Sequence, residues 1–181
     1  LQNGRIRMDC RPLDLVAELT DAVLFCEARI QREGLVLSYT EPEEMIPVYA
    51  DPDRLRQVFI NIMDNAIKYS PAGSTVRISV AENAGAPQGF ASFRFVVADK
   101  GVGMEPAFME RMFMPFERES NTTASGVQGT GLGLTIVRNV LDLMEGELAV
   151  ESAPGEGSTF TVDITFRQAP ADVAAEVPRP S

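Results

Sequence analysis

The sequence contains no histidine and no tryptophan, and only two of its 181 residues are cysteines. The absence of histidine excludes Ser-His-Asp triads, histidine general acid-base catalysis and histidine metal ligands. Cys10 and Cys26 form no CxxC motif, which argues against a structural zinc site. We expect two buried free thiols rather than a disulfide, as in a protein of a reducing compartment.

Long apolar runs and an excess of positive charge are also missing. No stretch approaches the roughly 18 apolar residues of a transmembrane helix. The net charge of −10 and the pI near 4.5 argue against a surface that neutralises nucleic-acid phosphates or anionic lipid. We therefore predict no nucleic-acid partner and no membrane contact by this domain. The sequence has neither a P-loop pattern nor a strand-GxGxxG-helix pattern, so both of those nucleotide sites are absent.

Hydrophobic periodicity predicts a mixture of strands and helices without strict βαβ alternation. Strands are expected at 5–9, 35–40, 47–51, 75–81 and 91–98, with a hairpin over 146–166, and helices at 13–32, 52–69, 106–113 and 132–144. This order predicts an α+β two-layer sandwich, in which a mixed, mostly antiparallel sheet of about five strands carries about three helices on one face. The domain would span residues 1–167, and the Pro- and Ala-rich residues 168–181 would form a linker or disordered tail.

Three polar clusters stand out against this fold. In NIMDNAIKYS, the side chains of Asn61, Asn65 and Lys68 fall on one narrow side of the helix predicted over 52–69. An amide oxygen suits Mg²⁺ when a nucleotide supplies further oxygens, and a lysine can hold a phosphate. The plainer alternative is a solvated helix face.

The second and third clusters are rich in glycine. Asp99 ends an apolar strand in ADKGVGM, and its carboxylate can accept from the amino group of adenine, while Gly101 and Gly103 would let a flat base approach the backbone. GTGLGL, residues 129–134, precedes a helix whose N-terminus can bind phosphate. A turn and a flexible helix-entry loop are the plainer alternatives.

In this order, the three clusters resemble the catalytic ATP-binding domain of sensor histidine kinases, the GHKL or Bergerat fold. NIMDNAIKYSPAG looks like the N box of that family, DKGVG like its first glycine box, FMPFER like its F box, and GTGLGL like its second glycine box. The resemblance covers about residues 5–167. It implies ATP and Mg²⁺ as cofactors, and a mobile ATP lid between the two glycine boxes.

The resemblance also implies roles for single residues. Asn65 would bind magnesium, Lys68 would contact phosphate, Tyr69 would lie near the base, and Asp99 would read adenine. The remaining expected site residues are Gly101 and Gly103 in the pocket wall, Phe113 and Phe116 as lid anchors, Gly129, Thr130, Gly131, Leu132 and Gly133 around the phosphates, Thr159 as an adenine-fixing hydroxyl, and Arg118 at the terminal phosphate.

Asn61 stands where related gyrase-type ATPases have a water-activating glutamate. An amide is a far weaker base, so the resemblance implies that ATP is held without efficient hydrolysis. The γ-phosphate would pass to a histidine on a dimerisation hairpin outside this chain, with catalysis by positioning and charge neutralisation. Asn61, Lys68 and Arg118 would be the catalytic residues. A nucleotide-sensing module without transfer and an anti-sigma-type serine kinase are the alternative functions.

Two segments leave further alternatives open. The methionines at 104, 109, 112 and 114 fit either the core of the lid or a surface that docks onto the acceptor hairpin. The tail fits either a connection to a C-terminal receiver domain, as in a hybrid kinase, or an unstructured end. A response-regulator receiver domain is the expected downstream partner. The domain would lie in the cytoplasm, whether or not the full-length kinase is membrane-anchored.

Overall fold

A computed structural model of the chain describes residues 7–111 and 133–176. This part contains seven strands: β1 Arg11–Asp14, β2 Val36–Tyr39, β3 Pro47–Ala50, β4 Thr75–Asn83, β5 Phe90–Asp99, β6 Glu147–Ala153 and β7 Gly157–Gln168. Its helices are α1 Leu15–Arg32, α2 Pro52–Tyr69, α3 Pro106–Met109, α4 Gly133–Leu143 and α5 Ala171–Glu176.

The strands form one sheet in the order β1-β3-β7-β5-β4-β2, with β6 paired to β7 beside this path. Every pairing is antiparallel except that of β2 with β4. The predicted α+β class and the mixed, mostly antiparallel sheet are therefore confirmed. The described sheet has two strands more than the five or so that we expected.

The two long helices begin where the sequence provides a cap. The side chain of Asp14 accepts a hydrogen bond from Val16 N at the start of α1 and a second from Ile46 N. Asp51 caps α2 through Asp53 N and Arg54 N. Both carboxylates accept hydrogen bonds from backbone N–H groups that have no partner within the first turn of a helix.

One face of the sheet is covered by α1, α2 and α4. Alternate residues of β5 and β7 are buried on this face, and they pack with the apolar stripes of the helices into one hydrophobic core. At its centre, the rings of Phe59 of α2 and Phe95 of β5 lie 4.9 Å apart between centroids. This two-layer packing places α2 against the sheet, and the candidate site lies near the end of β5 and the start of β7.

The first strand is misplaced in the prediction. Residues 7–9 have no regular structure, residues 5 and 6 lie outside the described part, and β1 runs instead over Arg11–Asp14. Leu13 is the one fully buried residue of β1, so the strand lacks the alternation that would reveal it. The helix predicted from residue 13 consequently starts two residues later, at Leu15.

The chain end also differs from the expected linker or tail. Strand β7 continues to Gln168, and residues Ala171–Glu176 form α5, which lies against β1 and β3. Ala169 and Ala174 are buried, at 8% and 3% exposure. Residues up to 176 therefore contribute to the folded unit, although their composition is typical of a linker.

The two cysteines are both free. Cys26 is buried in the core on the inner side of α1, as we predicted, and its burial raises the pKa of the thiol. The prediction is wrong for Cys10, which is exposed in the irregular segment before β1. The sequence around Cys10 has no apolar periodicity that could have placed it in either environment.

Candidate nucleotide-binding site

The N-box side chains lie together on one half-buried side of α2. Asn61 donates from Nδ2 to the carbonyl oxygen of Gln57 at 2.6 Å. A Cβ placed on Gly133 would lie 3.2 Å from Asn61 Oδ1. The N box and the end of the second glycine box are therefore in contact, and a side chain at position 133 would press against the Asn61 amide.

Lys68 forms an ion pair one turn back along α2. Its Nζ lies 3.0 Å from Oδ2 of Asp64, and the other carboxylate oxygen of Asp64 is paired with Arg29 of α1. Asn65 lies between these charges and Asn61 on the helix, also half-buried. The stripe of Asn61, Asn65 and Lys68 is thus partly shielded by neighbouring elements instead of facing open solvent.

Asp99 is a buried carboxylate at the end of β5, with 8% of its surface exposed. Its Oδ1 accepts from the backbone N–H of Gly101 at 2.7 Å. Burial raises the pKa of Asp99, and backbone hydrogen bonds from Gly101 and Ser158 oppose this rise only in part. A buried carboxylate requires hydrogen-bond partners, and backbone N–H groups of Gly101 and Ser158 supply such partners here.

The glycines of the first glycine box are required by the protein's own backbone. A Cβ on Gly101 would lie 2.2 Å from the carbonyl oxygen of Tyr69, and one on Gly103 would lie 1.9 Å from that of Ala153. Gly103 also has a φ of 72°, which side chains disfavour. The sequence predicts that these glycines admit a base, whereas the contacts show that they allow the loop to pack closely against the backbone of Tyr69 and Ala153.

Two backbone hydrogen bonds hold this loop in place. Val102 N donates to the carbonyl oxygen of Tyr69, the last residue of α2, at 3.1 Å. Gly155 N in the β6–β7 turn donates to the carbonyl oxygen of Val102 at 2.7 Å. The loop after Asp99 is therefore fixed between the end of the N-box helix and the final hairpin, which turns at PGEG as predicted.

Ser158, and not Thr159, shares a face of the sheet with Asp99. Ser158 lies directly opposite Asp99 in the antiparallel β5–β7 pair and is buried, at 8% exposure. Thr159 pairs with Ala98, so its side chain projects from the opposite face. The structure thus does not bring Thr159 together with Asp99. The signal was available in the sequence, since Ser158 is in phase with the buried residues Phe160 and Val162.

The hydroxyl of Ser158 belongs to a short chain of hydrogen bonds. It lies 2.9 Å from the hydroxyl of Ser152 on β6, which in turn accepts from Met104 N at 2.9 Å. Met104 is itself buried in the core, and Met109 packs against the same core from α3. These contacts support the lid-core interpretation for the two methionines that the structure describes.

The remaining expected site residues lie outside the described residues. They are Phe113, Phe116, Arg118, Gly129, Thr130, Gly131 and Leu132, together with Met112 and Met114. Of the helix predicted over 106–113, residues Pro106–Met109 form α3. The described part of the site therefore consists of the side of α2, the end of β5 with its loop, the start of β7 and the first residue of α4.

A family model described as histidine kinase-, DNA gyrase B- and HSP90-like ATPase matches residues 50–168. The chain belongs to this family. It is 37% identical over 126 residues to the sensor histidine kinase RcsC of Escherichia coli K12, covering 70% of this chain and 12% of RcsC. It is 30% identical over 173 residues to the sensor protein GacS of Pseudomonas syringae, covering 95% of this chain and 19% of GacS.

Solved structures agree with this family. Full-length ShkA in complex with AMPPNP superimposes with a TM-score of 0.74 at 29% identity, covering 93% of this chain and 33% of ShkA. The mycobacterial sensor histidine kinase MprB shares the fold with a TM-score of 0.68 at 24% identity, covering 89% of this chain and all of that chain. The resemblance inferred from the four boxes is confirmed, and this family domain spans less than a fifth of the length of RcsC.

No group of three or more acidic, cysteine or histidine side chains is arranged to hold a metal within residues 7–111 and 133–176. Within the same ranges, none of the helices combines the length and apolarity needed to span a bilayer.

Proposed function

We propose that this domain binds Mg-ATP and transfers the γ-phosphate to a histidine on a helical hairpin outside the chain. The observation that carries the proposal is the buried carboxylate of Asp99, which ends β5 opposite Ser158. The loop after Asp99 is hydrogen-bonded to Tyr69, the last residue of the helix that presents Asn65 and Lys68. The family and its sensor-kinase relatives support ATP as the ligand. The AMPPNP complex of the related ShkA supports it as well.

In this proposal, adenine is held at the Asp99 end. The carboxylate accepts from the exocyclic amino group, and the neighbouring Ser158 hydroxyl completes the polar wall. Tyr69, the half-buried last residue of α2, lies next to the loop at this end. Because Asp99 is desolvated, its hydrogen bond to a base would be stronger than the same contact made in water.

The phosphates would lie along α2 toward α4. Asn65 would supply one amide oxygen to magnesium, and the nucleotide and water would supply the rest, which fits the absence of an acidic cluster in the described residues. Bound magnesium neutralises charge on the phosphates. Lys68 would contact a phosphate oxygen as a point charge. Gly133, in contact with Asn61, would bring the N-terminus of α4 close to the phosphates.

Asn61 supports transfer over hydrolysis. Its amide nitrogen donates to a backbone carbonyl of its own helix, and an amide cannot act as a base for water. The γ-phosphate would therefore remain on ATP until an acceptor side chain reaches it. A response-regulator receiver domain would take the phosphate from the acceptor histidine in the next step.

The test combines this chain, the purified hairpin of the full-length kinase and ATP labelled at the γ-phosphate. We expect labelled hairpin whose phosphate is stable in base and labile in acid, as for phosphohistidine, and no labelling by the Asp99→Asn variant. Acid-stable label would instead identify a serine kinase. Bound AMPPNP without any labelled hairpin would favour a sensing module, and either result would contradict the proposal.

A further inference from the structure

The phosphate-contacting lysine of the proposed site belongs to a three-residue ion cluster that reaches across two helices. Asp64 of α2 uses Oδ2 to hold Lys68 Nζ at 3.0 Å and Oδ1 to hold the guanidinium of Arg29. Each of the three side chains is between 28% and 35% exposed. Ion pairs that are this far withdrawn from water are screened less than pairs on the open surface.

Arg29 lies outside every motif that identified the site. It belongs to the last turn of α1, and the helix contacts between α1 and α2 bring it to Asp64. No periodicity or family box pointed to it, because the link depends on the packing of two helices. Its guanidinium is bound to the carboxylate that also holds Lys68.

The net charge of this cluster determines whether the region around Lys68 attracts or repels a phosphate. A lone carboxylate one turn from Lys68 would repel an incoming polyphosphate and compete for the ammonium group. With Arg29 bound to the same carboxylate, two cations share one anion, and the cluster keeps one excess positive charge. An ammonium has three donors, so Lys68 can remain hydrogen-bonded to Asp64 while it donates to a phosphate oxygen.

We propose that Arg29 is a positioning residue for nucleotide binding, which acts through Asp64 by neutralising its charge and leaving Lys68 available to the phosphates. The inference rests on the proposed function. Arg29 does not contact the nucleotide in this scheme. Arg29 instead balances the charge of Asp64, and in this way it affects the orientation of Lys68, which does contact the nucleotide.

The experiment measures binding of two probes, Mg-AMPPNP and adenosine, to the whole chain by titration calorimetry. Arg29→Gln is expected to weaken AMPPNP binding roughly three- to fivefold, the range of a partly exposed ion pair, and to leave adenosine binding unchanged. Arg29→Lys keeps the charge and should restore AMPPNP binding to within about twofold of wild type. Arg32→Gln removes an exposed arginine from the same last turn of α1 and serves as the matched control.

The double variant Arg29→Gln/Asp64→Asn distinguishes charge compensation from a purely structural role. Removing both partners restores one excess positive charge on Lys68, so AMPPNP binding should return toward the wild-type value. The inference is overturned if the double variant binds AMPPNP more weakly than Arg29→Gln, if adenosine binding falls equally, or if Arg32→Gln has the same effect. A wild-type chain that binds neither probe would instead contradict the proposed function.

Discussion

Ser158 lies directly opposite Asp99 in the antiparallel pair of β5 and β7, and both side chains are buried on the helix-covered face of the sheet. The next residue, Thr159, projects from the other face. This one-residue difference decides which hydroxyl lies beside Asp99 on the same face of the sheet.

Substitution of the two neighbouring hydroxyls tests this geometry. Ser158→Ala should weaken adenosine binding about fivefold, because the loss of one neutral hydrogen bond costs roughly 1 kcal/mol. Thr159→Val removes a hydroxyl of the same strand on the opposite face and should change binding by less than about twofold. Titration calorimetry with adenosine measures both. A larger effect for Thr159→Val than for Ser158→Ala would show that Thr159, the residue predicted from the sequence, contacts the base, and would contradict the role proposed for Ser158.

Asp99→Asn should stabilise the fold at neutral pH while it weakens nucleotide binding. Because burial raises the pKa of Asp99, the folded protein binds this proton more tightly than the unfolded chain. Ionised Asp99 therefore costs folding free energy above its folded pKa, and this cost disappears as the pH falls below the unfolded value. The Tm of the variant should exceed that of wild type at pH 7, and the difference should shrink toward pH 4.

Asp163 provides a control, because the expected change in Tm on substitution by asparagine at pH 7 is opposite to that for Asp99. Its hydrogen bond from Arg94 lowers the pKa of the carboxyl, so ionised Asp163 contributes stability that is lost as the pH falls through its folded pKa. Asp163→Asn should lower the Tm at pH 7 and have little effect in acid. If both asparagine variants shift the Tm in the same direction at pH 7, the account of Asp99 burial is incorrect.

Gly103 in the loop after Asp99 and Gly155 in the β6–β7 turn should differ sharply in their tolerance of alanine. Gly103→Ala puts a Cβ on the carbonyl oxygen of Ala153 and should destabilise the fold by about 3 kcal/mol, from overpacking and a positive φ together. Gly155→Ala also has a positive φ but meets no atom within 4 Å, and should cost about 1 kcal/mol. Urea unfolding monitored by circular dichroism measures the two values, and equal losses would show that the loop is not tightly packed.

Asp51 should contribute more to stability than its neighbour Asp53. Its carboxylate accepts from two backbone N–H groups at the start of α2 and from Asp9 N, and it is 4% exposed. Asp51→Ala should lower the free energy of unfolding by about 2 kcal/mol. Asp53→Ala, an exposed first-turn substitution, should lower it by about 0.5 kcal/mol. The midpoints of urea unfolding measure the two losses of stability. Similar losses for both variants would argue that the Asp51 cap is not what stabilises the start of α2.

The sequence predicted those elements whose signals are local. The start of α2 followed from Asp51 and Pro52, since both the cap and the first-turn proline act within one turn. The long strands β4 and β5 followed from their alternation. By contrast, α5 is only six residues long, and so short a helix is stabilised by tertiary packing, here against β1 and β3. No local pattern could have revealed it.

The candidate site shows the same division. Asn61, Asn65, Lys68 and Asp99 could be proposed from the sequence because they lie in short motifs, and the structure places them on α2 and at the end of β5. The ion pair of Arg29 with Asp64 could not be predicted, because it joins α1 to the helix that carries both Asp64 and Lys68. For the glycines, the sequence indicated the positions correctly, but the physical reason depends on which backbone atoms lie opposite them in the folded chain.

The central claim is that a magnesium-bound adenine nucleotide lies between α2, the loop after Asp99 and the start of α4. The most direct test is a titration of isotopically labelled protein with Mg-AMPPNP, followed by backbone amide chemical shifts. The account predicts the largest changes at Asn65, Gly101, Gly103 and Ser158, and their loss in Asp99→Asn. Shifts confined to residues remote from this site, such as Val36 and Glu82, or no shifts at saturating nucleotide, would contradict it.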